Sequence, residues 1–199
     1  MRARGGATGR PSIGRLLLRT SFGGPQRYGR EVAQEAGISL GQLQHYFGSR
    51  AELLAFAADL AGEQSALRVR RALSALGEAP HPRQVLRAML VELLPLHADS
   101  RATSRMSAAY VLEALHDEEV RVRAGSGLIQ GRALVEQVVR QAIIDGLIAP
   151  ECDPVVETDL LLALTGFATL LELGVVEPAA ALAAVDRHLD RLFGGGVTG

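Results

Sequence analysis

The sequence holds one cysteine, Cys152, and no tryptophan, lysine or asparagine. A single thiol excludes an internal disulfide and, by itself, a cysteine-based metal site, so a reducing cytoplasm is the natural compartment. Long hydrophobic runs are missing as well. Leu16, Leu17 and Leu18 follow basic residues, but the run is far shorter than the apolar stretch of a signal peptide. No window approaches the ~20 apolar residues of a membrane span. The longest apolar zone, residues 160–176, is interrupted by Thr165, Gly166, Thr169, Glu172 and Gly174, and a buried helix accounts for it better. Alternating strand segments are absent too, which excludes most β architectures.

What the chain has is helical patterning throughout and a lopsided charge. The formal net charge of -1 conceals eight arginines against Glu31 and Glu35 in residues 1–50, a formal +6, and thirteen arginines against twenty acids afterwards, a formal -7. A nucleic acid should therefore meet the N-terminal end. With 48% hydrophobic residues over 199 positions, the chain can bury a substantial core, as one domain or as two small ones sharing a helix.

Residues 30–54, REVAQEAGISLGQLQHYFGSRAELL, are the most informative stretch. Val32, Ala33 and Ala36 recur at helical spacing with Glu31, Gln34 and Glu35 on the other face, giving a short amphipathic helix. Gly37 can take the left-handed conformation that ends it, and Ser39 can cap the next helix through its hydroxyl. In that second helix, residues 40–46, Leu43 and Phe47 pack beneath. Leu40, Gly41, Gln42, Gln44 and His45 remain outside, a short polar face without carboxylates. Such a face suits the major groove, where glutamine can pair with adenine and Gly41 permits close approach. Ser49-Arg50-Ala51-Glu52 then reads as a capping box opening a third helix, with Arg50 in its first turn beside Tyr46, facing the phosphates.

This segment resembles the DNA-binding domain of the TetR family of bacterial transcriptional repressors. Val32, Ala33, Ala36, Gly37, Ile38, Ser39, Gly41, Leu43, Tyr46, Phe47, Ser49, Arg50 and Leu53 carry the likeness. Gln44 stands where many members have tyrosine, and Arg50 where most have lysine. The resemblance implies that His45, Tyr46 and Arg50 hold the DNA backbone while Leu40, Gly41, Gln42 and Gln44 face bases, with Ser39 also among the DNA-binding residues. It also implies an all-α fold, with a DNA-binding head over residues 1–55 and a ligand-binding and dimerisation body over 56–199.

Beyond Leu54 the periodicity predicts a connecting helix over residues 50–76, ended by Gly77 and a turn around Pro80 and Pro82. Further helices are expected over 83–97, 100–115, 117–147, 153–173 and 178–193, with Pro154 and Pro178 at first helical positions, where a missing N–H costs nothing. The body also resembles a ligand-binding domain found in one branch of the family, on LLPL at residues 93–96, AAYVLEALHDEEVR at 108–121 and AIIDGLIAPECDP at 142–154. The last two helices carry too wide an apolar surface for a single buried stripe, through Leu160, Leu161, Leu164, Phe167, Ala168, Leu171, Leu173, Leu182, Val185, Leu189, Leu192 and Phe193. Paired with a second copy they would form a four-helix interface, and the resemblance implies the same homodimer. Two recognition helices would then lie about one DNA turn apart, ~34 Å, matching a pseudo-palindromic operator.

The family usually binds a small molecule between the middle helices and transmits it through the connecting helix. Candidate wall residues are Met89, Leu93, Met106, Tyr110 and Phe167, although residues of this kind also serve as plain core. His97 or Arg105, turned inward, would favour an anionic effector. Catalysis finds little footing. The histidines at 45, 81, 97, 116 and 188 lack zinc-protease spacing, and Gly194–Gly196 precede no phosphate-binding lysine. His116, Asp117, Glu118 and Glu119 read as the acidic start of a helix rather than a metal cluster, and no cofactor is called for. A second reading stays open, a helical ligand-binding dimer with impaired or lost DNA binding. Residues 1–29 contain seven glycines and two prolines where family members carry a full amphipathic helix. That segment is either a divergent basic arm using Arg2, Arg4, Arg10 and Arg15 or an altered one that leaves the dimer intact.

Overall fold

The structure, a computed structural model, describes residues 33, 34 and 38–194, with Arg50 described in its backbone alone. Among the described residues every regular element is helical. The helices are α1 (Leu40–Tyr46), α2 (Arg50–Ser74), α3 (Pro82–Leu93), α4 (Ala98–Ala114), α5 (Glu118–Ile144), α6 (Pro154–Ala163), α7 (Phe167–Glu172) and α8 (Pro178–Gly194), with a 3-10 turn at Leu164–Gly166 between α6 and α7. The all-α expectation holds.

Two compact units emerge. The first gathers the described residues up to Gln64 with Arg105–Ala124, and the second Ser65–Ser104 with those from Gly125 onwards. In the first, Leu43, Phe47, Leu53, Leu54, Ala57, Ala61, Met106, Tyr110 and Val120 are buried, and the Phe47 and Phe56 rings pack 5.4 Å apart. Val32, Ala36 and Gly37 of the expected leading helix lie outside the described residues, as does the segment 1–29.

The second unit has a continuous aliphatic core. Leu86, Leu90 and Leu94 meet Val135, Val139 and Ala142 of α5, Ile148, Leu161 of α6, and Ala181, Val185, Leu189 and Leu192 of α8. Burying a leucine of this kind contributes about 2 kcal/mol by transfer. The α8 set recurs at steps of four, four and three, the period that keeps one stripe of a helix facing inward. At the rim of the α3–α8 contact, Arg87 Nε donates to Asp186 Oδ1 at 2.6 Å and Arg83 Nε donates to Asp190 Oδ1 at 2.9 Å. The Arg87 guanidinium holds the Asp186 carboxyl below the usual carboxylate range, against burial, which raises it.

Three local expectations are corrected. Helix α3 ends at Leu93 rather than His97. Leu94 is extended (φ -85°, ψ 144°) because Pro95 follows it, and the proline ring disfavours a helical residue before it. The same helix starts at Pro82, not beyond it. His81 Nδ1 accepts from the Arg83 N–H and Gln84 Oε1 accepts from the His81 N–H, closing a capping box. The expected single helix over 153–173 is interrupted at Leu164–Gly166, where the Thr165 hydroxyl donates to the Leu162 carbonyl at 2.7 Å and competes with the helical ladder.

The apolar stretch is also more exposed than a buried helix would be. Within the single chain Leu160 is 47% exposed, Leu173 71% and Val175 67%. By length and composition alone Pro154–Glu172, mean hydropathy 1.5, is apolar enough to cross a membrane, contrary to the expectation from sequence. Its inner face nevertheless packs in the second unit, where Thr158 and Leu161 are fully buried.

Candidate nucleic-acid interface

The corner before α1 is built from main-chain demand. Ser39 is extended (φ -74°, ψ 155°) and caps the helix. Its Oγ accepts from the Gln42 N–H at 3.1 Å, and Gln42 Oε1 accepts in return from the Ser39 N–H at 2.9 Å. The sequence pattern Ser-x-x-Gln thus satisfies two donors that the first turn of a helix leaves without partners. The preceding turn closes through the Ile38 N–H donating to the Ala33 carbonyl at 2.9 Å.

Leu43 and Phe47, each 3% exposed, anchor α1 from below. Gly41, Gln42, Gln44, His45 and Tyr46 are exposed, and Leu40 is half-buried. No carboxylate lies on the helix, and the His45 and Tyr46 rings stand edge to face at 6.0 Å. A Cβ added at Gly41 would meet only Ser39 Oγ, 3.9 Å away. The chain's own packing therefore does not require glycine there, and the space beside it is open. At the exit, Ser49 Oγ accepts from the Glu52 N–H at 3.0 Å and Glu52 Oε2 accepts from the Gly48 N–H at 2.9 Å. The glutamate thus ties the corner before α2. The side chain of Arg50 lies outside the description.

The five expected wall residues divide between the units. Met106 is fully buried in the first. Tyr110 joins it there, its hydroxyl buried without a hydrogen-bond partner and its pKa raised chiefly by burial. Near it Asp59 and Arg123 form an ion pair. In the second unit Met89 and Phe167 pack on the aliphatic core while Leu93 is 42% exposed. A groove of about 240 Å³ lined by Pro80, Pro82, Val85, Gln137, Val138 and Gln141 shares none of the five.

His97 and Arg105 are exposed. The arginine turned inward is Arg68, which the sequence reading missed. Its Nη2 donates to Thr103 Oγ1 at 2.9 Å and Ser65 Oγ at 3.0 Å, and its Nε lies 3.4 Å from Glu92 Oε2. Only its position beside Leu67 and Val69 hinted at burial. His188 is a second inward group, 3.9 Å from Glu157. Burial holds its imidazole below the ordinary range, Glu157 opposing the shift and Arg191 adding to it. The run at residues 116–119 is a helix start, Asp117 Oδ1 accepting from the Val120 N–H at 3.1 Å.

The BetI-type transcriptional repressor C-terminal domain matches residues 82–194 of this chain. The chain belongs to the TetR family. Among curated TetR-type relatives, the HTH-type transcriptional regulator PksA of Bacillus subtilis (strain 168) is 28% identical over 135 residues, 68% of this chain. That match spans 63% of the regulator's own length. A transcriptional regulator from Rhodococcus sp. Rha1 superposes with a TM-score of 0.76 at 23% identity, covering 96% of this chain and 99% of the other. AibR, solved in complex with isovaleryl coenzyme A and operator DNA, superposes with a TM-score of 0.63 at 19% identity, over 92% and 97% of the two chains.

Proposed function

We propose that this regulator is a cytoplasmic repressor that binds a pseudo-palindromic operator as a homodimer and is released by a small molecule. The observation that carries the operator reading is the outer face of α1, polar, free of carboxylates and opened at Gly41, above the buried anchors Leu43 and Phe47. Such a helix can lie in a major groove without electrostatic penalty. Residues 1–55 form the DNA-binding head in this reading, with Leu40, Gly41, Gln42 and Gln44 at the bases, His45, Tyr46 and Arg50 at the phosphates, and Ser39 beside them at the DNA. Residues 56–199 sense the effector, with Met89, Leu93, Met106, Tyr110 and Phe167 near it. AibR, which holds both an acyl coenzyme A and DNA, supports a small-molecule effector in a chain of this fold. Homodimerisation is supported by the uncovered apolar side chains Leu160, Leu170, Leu173 and Val175.

The test is binding of the purified chain to the duplex upstream of its own coding region, against a scrambled duplex, at two salt concentrations. Sequence-dependent binding that weakens with salt is expected. Equal, weak binding of both duplexes by a folded dimer would instead favour the ligand-binding dimer without an operator. Replacing Arg50 by alanine should lower the slope of log affinity against log salt by about one per protomer; an unchanged slope would remove Arg50 from the phosphate contacts.

A further inference from the structure

Arg68 joins α2 to α3 and α4 within the second unit, yet its guanidinium is only partly used. Nη2 serves three acceptors, Thr103 Oγ1 at 2.9 Å, Ser65 Oγ at 3.0 Å and the Glu92 carbonyl at 3.5 Å. Nη1 and the buried Nε make no hydrogen bond among the described residues. The Glu92 carboxylate lies 3.4 Å from Nε, an ion pair without the parallel two-bond fork that arginine and a carboxylate can form. The Ser65 hydroxyl accepts from Arg68 and donates to nothing among the described residues. The side chains of Arg68 and Glu92 are 18% and 24% exposed, so the pair is open on one side rather than sealed. Met89, Glu92 and Leu93, three and four residues apart, share one side of α3. Met89 packs on the aliphatic core, and Leu93 is uncovered.

We infer that Arg68 anchors an anionic effector, an organic molecule that carries an oxyanion, carboxylate or phosphate, beside an apolar portion. The inference rests on the small-molecule reading above and names the effector's class. The oxyanion accepts from Nη1 and from the Ser65 hydroxyl and replaces Glu92 as the counter-charge of Arg68. The apolar portion lies along Leu93 beside Met89. A tie whose only task was to hold helices together would close the fork onto Glu92, whereas here the carboxylate sits to one side and donors of the guanidinium stay available. A neutral molecule gains little from such a group and a cation is repelled by it. The exchange also has a place to act. Arg68 lies on α2, the helix that starts at Arg50 directly after α1, and displacing Glu92 loosens the hold of α3 on that helix.

The experiment follows thermal unfolding and upstream-duplex binding of the full chain, Arg68→Gln and Glu92→Gln with sodium hexanoate, sodium phosphate or hexanol at one ionic strength. The wild type is expected to gain about 3–5 °C in melting temperature at about tenfold excess of hexanoate or phosphate over its Kd. Hexanol should give no such gain, and duplex affinity should fall over the same range of anion. Whichever anion acts distinguishes a carboxylate effector from a phosphate one. Glu92→Gln should bind that anion about tenfold more tightly, because the competing like charge is gone, and Arg68→Gln should not respond. Should Arg68→Gln fail to fold, Glu92→Gln decides alone. A response equal in all three proteins, one matched by hexanol, a Glu92→Gln that binds no more tightly, or no saturable response to either anion would each overturn the inference. Anion binding that leaves duplex affinity unchanged would overturn the effector role. A folded wild type that prefers no duplex would overturn the operator reading instead, with the Arg68-dependent anion response still judging the site.

Discussion

At the residue scale the chain shows how differently two buried polar groups can behave. His188 sits with Nε2 buried and Glu157 too distant for a strong bond, and its folded pKa is lowered. The unfolded chain therefore binds more protons than the folded one just below the ordinary histidine pKa of about 6.5. Stability from this group is complete above that value and is lost as the pH falls through the window beneath it. The melting temperature should decline between about pH 6.5 and 5, and His188→Gln should flatten that decline; an identical slope in the variant would assign the acid sensitivity elsewhere. Arg68, by contrast, is held on several sides, and its partners explain why sequence reading passed over it. Thr103 and the Glu92 carbonyl lie 35 and 24 residues away. Nothing in the local pattern of α2 distinguishes an arginine that meets them from one on a solvated face.

At the element scale, the parts that were legible are those whose cause is local. The starts of α1, α2 and α6 follow from Ser39, Ser49 and Asp153, residues whose short side chains accept main-chain N–H groups at a helix start. The end of α5 was not legible, since the expected helix over 117–147 runs past Gly146, whose φ of 71° an L side chain resists and which stops the helix at Ile144. The break between α6 and α7 was not legible, because a threonine that bends a helix and one that rides on it have the same neighbours. Ser39→Ala should cost about 1 kcal/mol of stability in urea unfolding, since the Gln42 N–H loses its side-chain acceptor. At the α3–α8 rim, Asp186 has a depressed pKa, so its contribution is present above the unfolded carboxylate pKa of about 3.9 and lost as pH falls through the lower folded value. Both partners are partly solvated, which limits the effect to about 1 kcal/mol or less. The stability gap between wild type and Asp186→Asn should be measurable at pH 7 and closed near pH 2; a gap independent of pH would mean packing, not charge, carries it.

At the scale of the whole molecule, the charge division and the uncovered apolar face lead to different partners. The arginine excess in residues 1–50 suits a polyanion, and α6–α7 with their exposed leucines suit an apolar surface such as a second copy. Leu173 is 71% exposed in the single chain, so Leu173→Glu should leave the fold of each protomer intact. In sedimentation at micromolar concentration the wild type is expected as a dimer and the variant as a monomer, with operator affinity falling in step. A dimeric variant of unchanged affinity would place the interface on another face. The helical bundle could be read from periodicity along nearly its whole length, whereas the effector site could not. Met89 and Met106 look alike in sequence, yet each belongs to a different compact unit.

The exposure of Tyr46 has one more consequence, because the chain contains no tryptophan to mask tyrosine emission. Tyr46 is 36% exposed on α1 and Tyr110 8% exposed in the first unit. A ligand lying against α1 would quench the first while leaving the second bright. The chain thus carries an intrinsic optical probe on α1. Titration with duplex DNA should dim its ultraviolet fluorescence, and Tyr46→Phe, made in a Tyr28→Phe background so that the third tyrosine does not contribute, should remove most of that change without any dye being attached.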